Sequence, residues 1–324
     1  MAAMPARSPV ARVQTLYWPG EHLQWMLGTS ALGKWIMAEQ HLQHTNRDRL
    51  LDGLPVEERR LDVNGVATSV LEGGQGPPVV LLHGGSQAGG VVWSRVIPRL
   101  TEGRRIVVPD LPGLGESEPV ARLDAAAVAD WLQRLLRLTC DDRPTLIAHS
   151  LPTSFAARFA ARHGDLLRQL VLIGSPALGS FRPPPALMVA AMRLNLRPSQ
   201  RNLERFSRWP YHHPDRIRTE HGEWHDALDA YLLTRATIPH VKRTMRRLVK
   251  VGTQQIPDTE LERIAVPTAL VWGRHDRMAP LRLAHAASTR FGWPLHVIDD
   301  AGHIPHVEQP EAFLDALEEA FGAG

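Results

Sequence analysis

Residues 145–160 read TLIAHSLPTSFAARFA, and this stretch decides how the rest of the chain is read. Thr145 to Ala148 is a short β-branched and apolar run, the pattern of a buried strand. It stops at His149-Ser150, and an alanine-rich stretch with helical character follows at once. A serine on so sharp a strand-to-helix turn carries its hydroxyl at the end of a sheet, where a nucleophile is useful. The segment Ala148-His149-Ser150-Leu151-Pro152 is a variant of the G-x-S-x-G pattern that marks such turns.

Working outward, the chain alternates strand and helix signals from about residue 58. RRLDVNGVATSVLE predicts a hairpin around Asn64-Gly65, because both turn positions need a positive φ. The runs PPVVLLHGG, RRIVVPD, TLIAHS, LRQLVLIGS, PTALVWGRHD and PLHVIDDAGH are unbroken apolar strands. Helical stretches such as Ala125–Leu138 separate them. That combination predicts a mostly parallel sheet buried on both faces. The alternation breaks between about Pro176 and Pro257, where proline clusters precede helical patterns rich in Arg, His and Trp. We expect residues 58–175 and 258–324 to form an α/β core, with 176–257 inserted after the sixth strand as a helical cap. Residues 1–57 are expected to form an N-terminal helical arm, amphipathic through Trp18, Leu23, Trp25, Met26, Leu32, Trp35 and Ile36. That arm either packs on the body or meets a membrane surface or partner; its mixed charges do not make a basic polar face.

Composition bounds the function. The 324 residues allow one large α/β domain with an insertion. The only cysteine, Cys140, excludes an intrachain disulfide and fits a reducing compartment. No apolar run reaches the roughly 18 residues of a membrane span, and the N-terminal stretch lacks the h-region of a secretory signal. A cytoplasmic location is therefore expected. The net charge of +3 is too small to argue for nucleic acid. The stretch Gly179–Lys250 holds fourteen Lys and Arg against six Asp and Glu, a net of +8 that leaves −5 for the remainder. Such a cap either attracts anionic substrates or carries a solvated helix face. Monomer and homodimer both stay open.

A serine hydroxyl needs a base within hydrogen-bond reach, a carboxylate to orient that base, and donors for the oxyanion. Asp276, in LVWGRHDRMAP, follows an apolar strand at the end where open α/β sheets gather their catalytic groups. His303, in VIDDAGHIPHVEQPEAF, follows the last strand and precedes a helix near Gln309-Pro310. It stands out among 16 histidines for that position, with His306 as its local rival. Asp299 and Asp300 are expected to belong to the loop that positions it. The N–H groups of Leu151 and Gly85 are expected to hold the oxyanion, Gly84 shaping the turn. Gly84, Ser86 and His149 are expected at the substrate. Asp110, in VVPDLPGLGESEP, lacks the G-x-x-x-x-G-K-[ST] pattern, which excludes a phosphate loop. No metal is expected, because His212-His213 and His221…His225 have no matching acid constellation in the sequence. No cofactor is expected either.

Together, HGG after strand three, DLPGLGES after strand four, AHS at the turn, GRHD before the acid and AGH before the final helix resemble the α/β-hydrolase superfamily. More narrowly they resemble its cap-bearing serine hydrolases: esterases, lactonases, haloperoxidase-like enzymes and C–C bond hydrolases. The resemblance covers about residues 58–322. It implies an α/β-hydrolase fold with an eight-stranded, mostly parallel sheet, and a Ser150, Asp276, His303 triad in the family's chain order. Ser150 also separates the chain from branches that place an aspartate at this position. Pro152 departs from the pattern, which prefers a small residue there. Either it fits the helix start harmlessly, or it pushes Leu151 away from helical dihedrals and alters the oxyanion hole. The expected activity is cleavage of an ester-like bond, carboxylester or lactone, in a small and largely apolar substrate. C–C bond hydrolysis of the meta-cleavage type, acyl transfer or a lyase reaction are alternatives on the same fold. A non-catalytic ligand-binding protein is the alternative of another class.

Overall fold

The structure is a computed structural model that describes residues 46–322. Most of the expected N-terminal arm lies outside the described residues; of it, residues 46–51 are helical. Eight strands form one sheet: β1 (Glu57–Val63), β2 (Val66–Gly73), β3 (Pro78–Leu82), β4 (Arg105–Pro109), β5 (Thr145–His149), β6 (Gln169–Ile173), β7 (Thr268–Gly273) and β8 (Leu295–Ile298). Their order across the sheet is β1-β2-β4-β3-β5-β6-β7-β8. The β1–β2 and β2–β4 pairs are antiparallel, and every other pair is parallel. The hairpin closes at Val63↔Val66 through Asn64 and Gly65, whose φ angles of 55° and 79° suit that dipeptide.

The continuous apolar runs follow from burial on both faces. In β3, β5, β6 and β7 every residue is buried. Alternate side chains join opposite cores, because a strand's side chains alternate in direction. Val80, Leu82, Leu146, Leu170, Leu172 and Trp272 pack on one side with Trp131 and Phe159. Val79, Leu81, Ile147, Val171, Ile173 and Val271 pack on the other with Trp93 and Phe313. The helix Ala125–Thr139 illustrates the local logic. Asp124 caps it by accepting the Ala127 N–H at 3.0 Å, and it buries Val128, Trp131, Leu132, Leu135 and Leu136 along one stripe.

Between β6 and β7 the described chain contains helices and no strand, the longer ones being Pro185–Leu196, Gln200–Ser207, Gly222–Thr237 and Pro239–Gly252. Polar contacts tie this insert to loops that leave the sheet after β3 and β4. Trp224 Nε1 donates to Ser94 Oγ at 2.8 Å, and the Tyr231 hydroxyl donates to Glu116 Oε1 at 2.6 Å. Arg235 Nη1 reaches Glu116 Oε2 at 3.3 Å. Among the described residues no helix is long and apolar enough to cross a membrane.

Arg47 joins the same junction from the chain's first described turn. It is only 2% exposed. Its Nη2 lies 2.8 Å from Glu58 Oε1 and 3.3 Å from Asp110 Oδ2, and its Nη1 donates to the Tyr231 hydroxyl at 3.2 Å. Asp110, itself buried, accepts the N–H of Gly90 at 2.5 Å and of Glu116 at 2.8 Å. That is why an aspartate begins the DLPGLGES loop: it folds the loop on itself. Arg47→Ala leaves the Asp110 charge buried without its cation. The expected cost is about 3–5 kcal/mol, read as a lowered urea midpoint with unchanged slope. A variant as stable as the wild type would show that the ion pair is not what holds this corner.

Candidate active site

Ser150 stands immediately after β5 with φ +61°, one of two non-glycine residues with positive φ among those described. Such a conformation costs a non-glycine residue and persists only when its surroundings enforce it. Its backbone is held on both sides. The Ser150 N–H donates to Ile173 O on β6 at 2.8 Å. The Thr153 hydroxyl donates to the Ser150 carbonyl and pairs with Ser175 Oγ at 2.7 Å. The helix Thr153–His163 starts directly behind the turn.

His303 and Asp276 complete a continuous chain. His303 Nε2 lies 2.7 Å from Ser150 Oγ, and His303 Nδ1 lies 2.7 Å from Asp276 Oδ2. Asp276 is fixed by its other oxygen, which accepts the N–H of Met278 at 2.8 Å and of Ala279 at 2.7 Å. His303 is fixed by its backbone: its N–H donates to Pro210 O at 2.7 Å, and its carbonyl lies 2.8 Å from His149 Nε2. Gly174 lines the back of this chain. A Cβ there would sit 3.1 Å from the His303 ring and 3.2 Å from Asp276 Oδ2, so a side chain would press on the pair. The two candidate acids nearest in sequence stay apart from the ring, for Asp299 pairs with Arg274 and Asp300 with Arg216.

Two N–H groups flank the serine without an acceptor. Among the described residues, neither Gly85 nor Leu151 donates its N–H to a protein atom. The Gly84–Gly85 peptide is held by its carbonyl. His83 Nε2 accepts the Leu111 N–H at 2.9 Å, which leaves the proton on Nδ1, and Nδ1 donates to Gly84 O at 2.8 Å. The Ser86 N–H also donates to Gly84 O, at 2.6 Å. Because the peptide is trans, the Gly85 N–H points away from these contacts. A Cβ on Gly85 would lie 2.8 Å from Leu151 Cδ1, so a side chain there would push the Leu151 methyl aside. Pro152 has φ −65° and ψ −14° at the helix entrance, values its ring adopts without strain. Its carbonyl accepts from Phe155 and Ala156, both at 3.0 Å.

The structure buries the His149 ring behind His303 rather than facing open space. It meets the rings of His303, His306 and Trp93 at centroid distances of 4.9, 4.8 and 6.3 Å. Ser86 is half-buried and accepts the Ala88 N–H at 3.2 Å. His306, the sequence rival of His303, is fully buried and stacks on Trp93 at 4.1 Å. Neither of its ring nitrogens has a hydrogen-bond partner. The sequence offers His83 a signal in its place before Gly84-Gly85 and offers His306 only as a rival base, whereas the part played by Glu308 emerges only from its long-range contacts.

Burial dominates the titration of these rings. It pulls His306 down to about 3, with the adjoining His303 adding to the effect. It likewise holds His149 well below the ordinary value, aided by His306 and His303, and lowers His83. A histidine kept neutral in the fold but free to protonate when unfolded stabilises the protein above the unfolded pKa, about 6.5. That stability is lost as pH falls toward the folded value. Each such ring costs on the order of 1 kcal/mol per pH unit in that window. His306→Phe keeps the stack on Trp93 and removes one proton from the balance. Urea unfolding between about pH 6.5 and 4 should show a shallower loss of stability in the variant. Equal slopes would rule out His306 as an acid-labile group.

The comparisons with known proteins agree with this architecture. The family model described as the alpha/beta hydrolase fold matches residues 77–310. A 2-hydroxy-6-oxo-6-(2'-aminophenyl)hexa-2,4-dienoic acid hydrolase of Metapseudomonas resinovorans is 27% identical over 273 residues, 80% of this chain and 89% of the relative. A pimeloyl-[acyl-carrier protein] methyl ester esterase of Aeromonas hydrophila is 24% identical over 263 residues, 79% of this chain and 100% of the relative. Among solved structures, carboxylesterase CesB from Bacillus subtilis superposes with a TM-score of 0.74 at 21% identity, covering 89% of this chain and 99% of that one. With the family match spanning most of the described sheet and the strand order above, the chain belongs to the α/β-hydrolase fold family.

Proposed function

We propose that this protein is a serine hydrolase that cleaves an ester-like bond in a small, largely apolar substrate. The observation that carries the reading is the hydrogen-bonded chain from Asp276 through His303 to Ser150, both links 2.7 Å long. With Nδ1–H donated to Asp276 Oδ2, the lone pair of Nε2 faces the serine hydroxyl. Ser150 Oγ attacks the substrate carbonyl carbon as its proton passes to His303 Nε2. The negative charge on the carbonyl oxygen meets the two free N–H groups of Gly85 and Leu151, an oxyanion hole whose donors cost nothing to reorganise. His303 then gives its proton to the leaving alkoxide, and an acyl-Ser150 intermediate remains. Water attacks that ester, His303 taking and returning a proton a second time, and the acid departs. Gly84 and Ser86 border the substrate in this reading, and His149 supports the His303 backbone.

The helical insert at 176–257 is proposed as the cap that sets substrate choice. C–C bond hydrolysis is a second reading, favoured by the 27% identity to a dienoic acid hydrolase. The two separate in a single screen of nitrophenyl esters, lactones and a coloured vinylogous ring-cleavage diketone, run on wild type and Ser150→Ala. Serine-dependent ester or lactone turnover supports the first reading. Turnover confined to the diketone replaces it with the second.

A further inference from the structure

Sequence offered no acid to accompany His212 and His213, but the fold supplies one. The two histidines lie between the helices Gln200–Ser207 and Pro214–Glu220, and Asp300 lies on the turn after β8. His213 Nε2 is 3.2 Å from Asp300 Oδ1, and His212 Nε2 is 3.8 Å from the same oxygen. The second separation is too long for a hydrogen bond. One donor atom from each of the three residues lies within 4.8 Å of the others. A tetrahedral ion with bonds of about 2.0–2.1 Å holds its donors about 3.3 Å apart, which the His213–Asp300 separation matches and the His212–Asp300 separation exceeds by about half an ångström.

The donors are held in place by contacts that leave them free to ligate. Asp300 Oδ2 is occupied by Arg216 Nη1 at 2.5 Å and by Gln309 Nε2 at 3.0 Å, so Oδ1 is the oxygen presented. The N–H groups of His212 and His213 both donate to Glu308 Oε1, at 2.6 and 3.1 Å. Glu308 Oε2 accepts the Gly302 N–H at 2.6 Å, one residue before His303. The His212 ring lies flat on His275, 3.8 Å between centroids and 10° between planes. Its Nδ1 is buried without a partner, so stacking rather than hydrogen bonding sets the ring. His213 and Asp300 are about half exposed, which gives an ion a way in and an open coordination position.

We propose that His212, His213 and Asp300 bind one divalent transition-metal ion of the Zn²⁺ class, with water in the remaining position. Two imidazoles and one carboxylate suit Zn²⁺ or Co²⁺, whereas Ca²⁺ and Mg²⁺ require oxygen donors. Arg216 offsets the Asp300 charge, so the affinity expected is about micromolar, weaker than that of structural zinc sites. The ion bridges the insert and the turn that leads into His303, adding to the links already made by Arg216 with Asp300, by Glu308 with His212 and His213, and by the His303 N–H with Pro210 O. The inference is independent of the serine chemistry.

The test is titration of the tag-free protein with Co²⁺, followed by visible absorption, with Zn²⁺ as competitor and calorimetry for stoichiometry. The expected result is one equivalent of Co²⁺ bound and displaced by Zn²⁺, with a Tm that rises on Zn²⁺ addition. His213→Ala, a truncation at a half-exposed position, should weaken binding more than tenfold, and so should Asp300→Asn. His221→Ala should leave binding unchanged. Absence of saturable uptake overturns the proposal. So does uptake of equal strength in His213→Ala and Asp300→Asn, which would put the ion on other histidines.

Discussion

Ser150→Ala is expected to lower kcat on the best ester by about 10⁶-fold, with little change in stability. The size of the effect follows from what the hydroxyl does. It forms the bond that divides one difficult step into two easier ones, and no neighbour replaces it. Of the hydroxyls beside it, Thr153 is engaged with the Ser150 carbonyl and Ser175 with Thr153. Stability should hold because the contacts that enforce the positive φ run through the Ser150 backbone, not its Oγ. Alanine tolerates that φ no worse than serine does. Residual turnover of about 10³–10⁴-fold over water is expected from the Gly85 and Leu151 N–H groups acting on bound substrate. A variant that keeps a tenth of wild-type activity would exclude Ser150 as the nucleophile.

Asp276→Asn is expected to lower kcat by about 10⁴-fold while leaving the fold intact. The asymmetry of the Asp276 carboxylate explains both halves. Oδ1 accepts two backbone N–H groups, from Met278 and Ala279, and an amide oxygen accepts them equally well. The amide NH₂ then takes the place of Oδ2, 2.7 Å from His303 Nδ1. A donor now faces Nδ1, which must give up its proton to accept. The proton moves to Nε2, and the lone pair that should receive the serine proton is gone. Circular dichroism and urea midpoint should match the wild type while steady-state kinetics show the loss in kcat. Wild-type kcat in this variant would remove Asp276 from the chemistry.

Much of this site was legible in the sequence, and the reasons are physical. Strands buried on both faces must be apolar throughout, so β3 to β7 announce themselves as short unbroken runs. The Asn64-Gly65 turn is legible because few residue pairs tolerate two positive φ angles in a row. Asp276 and His303 were legible because a parallel sheet delivers its strand ends to one edge, and each lies just past such an end. The orientation of the His149 ring was not legible. It depends on Trp93 and His306, which approach from elsewhere in the chain. Pro152 read as a possible disturbance, yet its φ of −65° fits the helix entrance and the Leu151 N–H keeps no protein acceptor. Glu308 and Asp300 were hidden for a different cause. Their partners sit in the insert between β6 and β7, whose helices carry no local motif that fixes where they pack.

In the proposed mechanism Ser150 is the activated nucleophile of the chain Asp276–His303–Ser150. The most direct test is intact-mass and peptide mapping after brief exposure to a fluorophosphonate, which reacts with a serine only when a base activates it. The expected result is a single adduct per chain, located on Ser150, absent in Ser150→Ala and strongly slowed in Asp276→Asn. No adduct on wild-type protein, or an adduct that persists in Ser150→Ala, would contradict it.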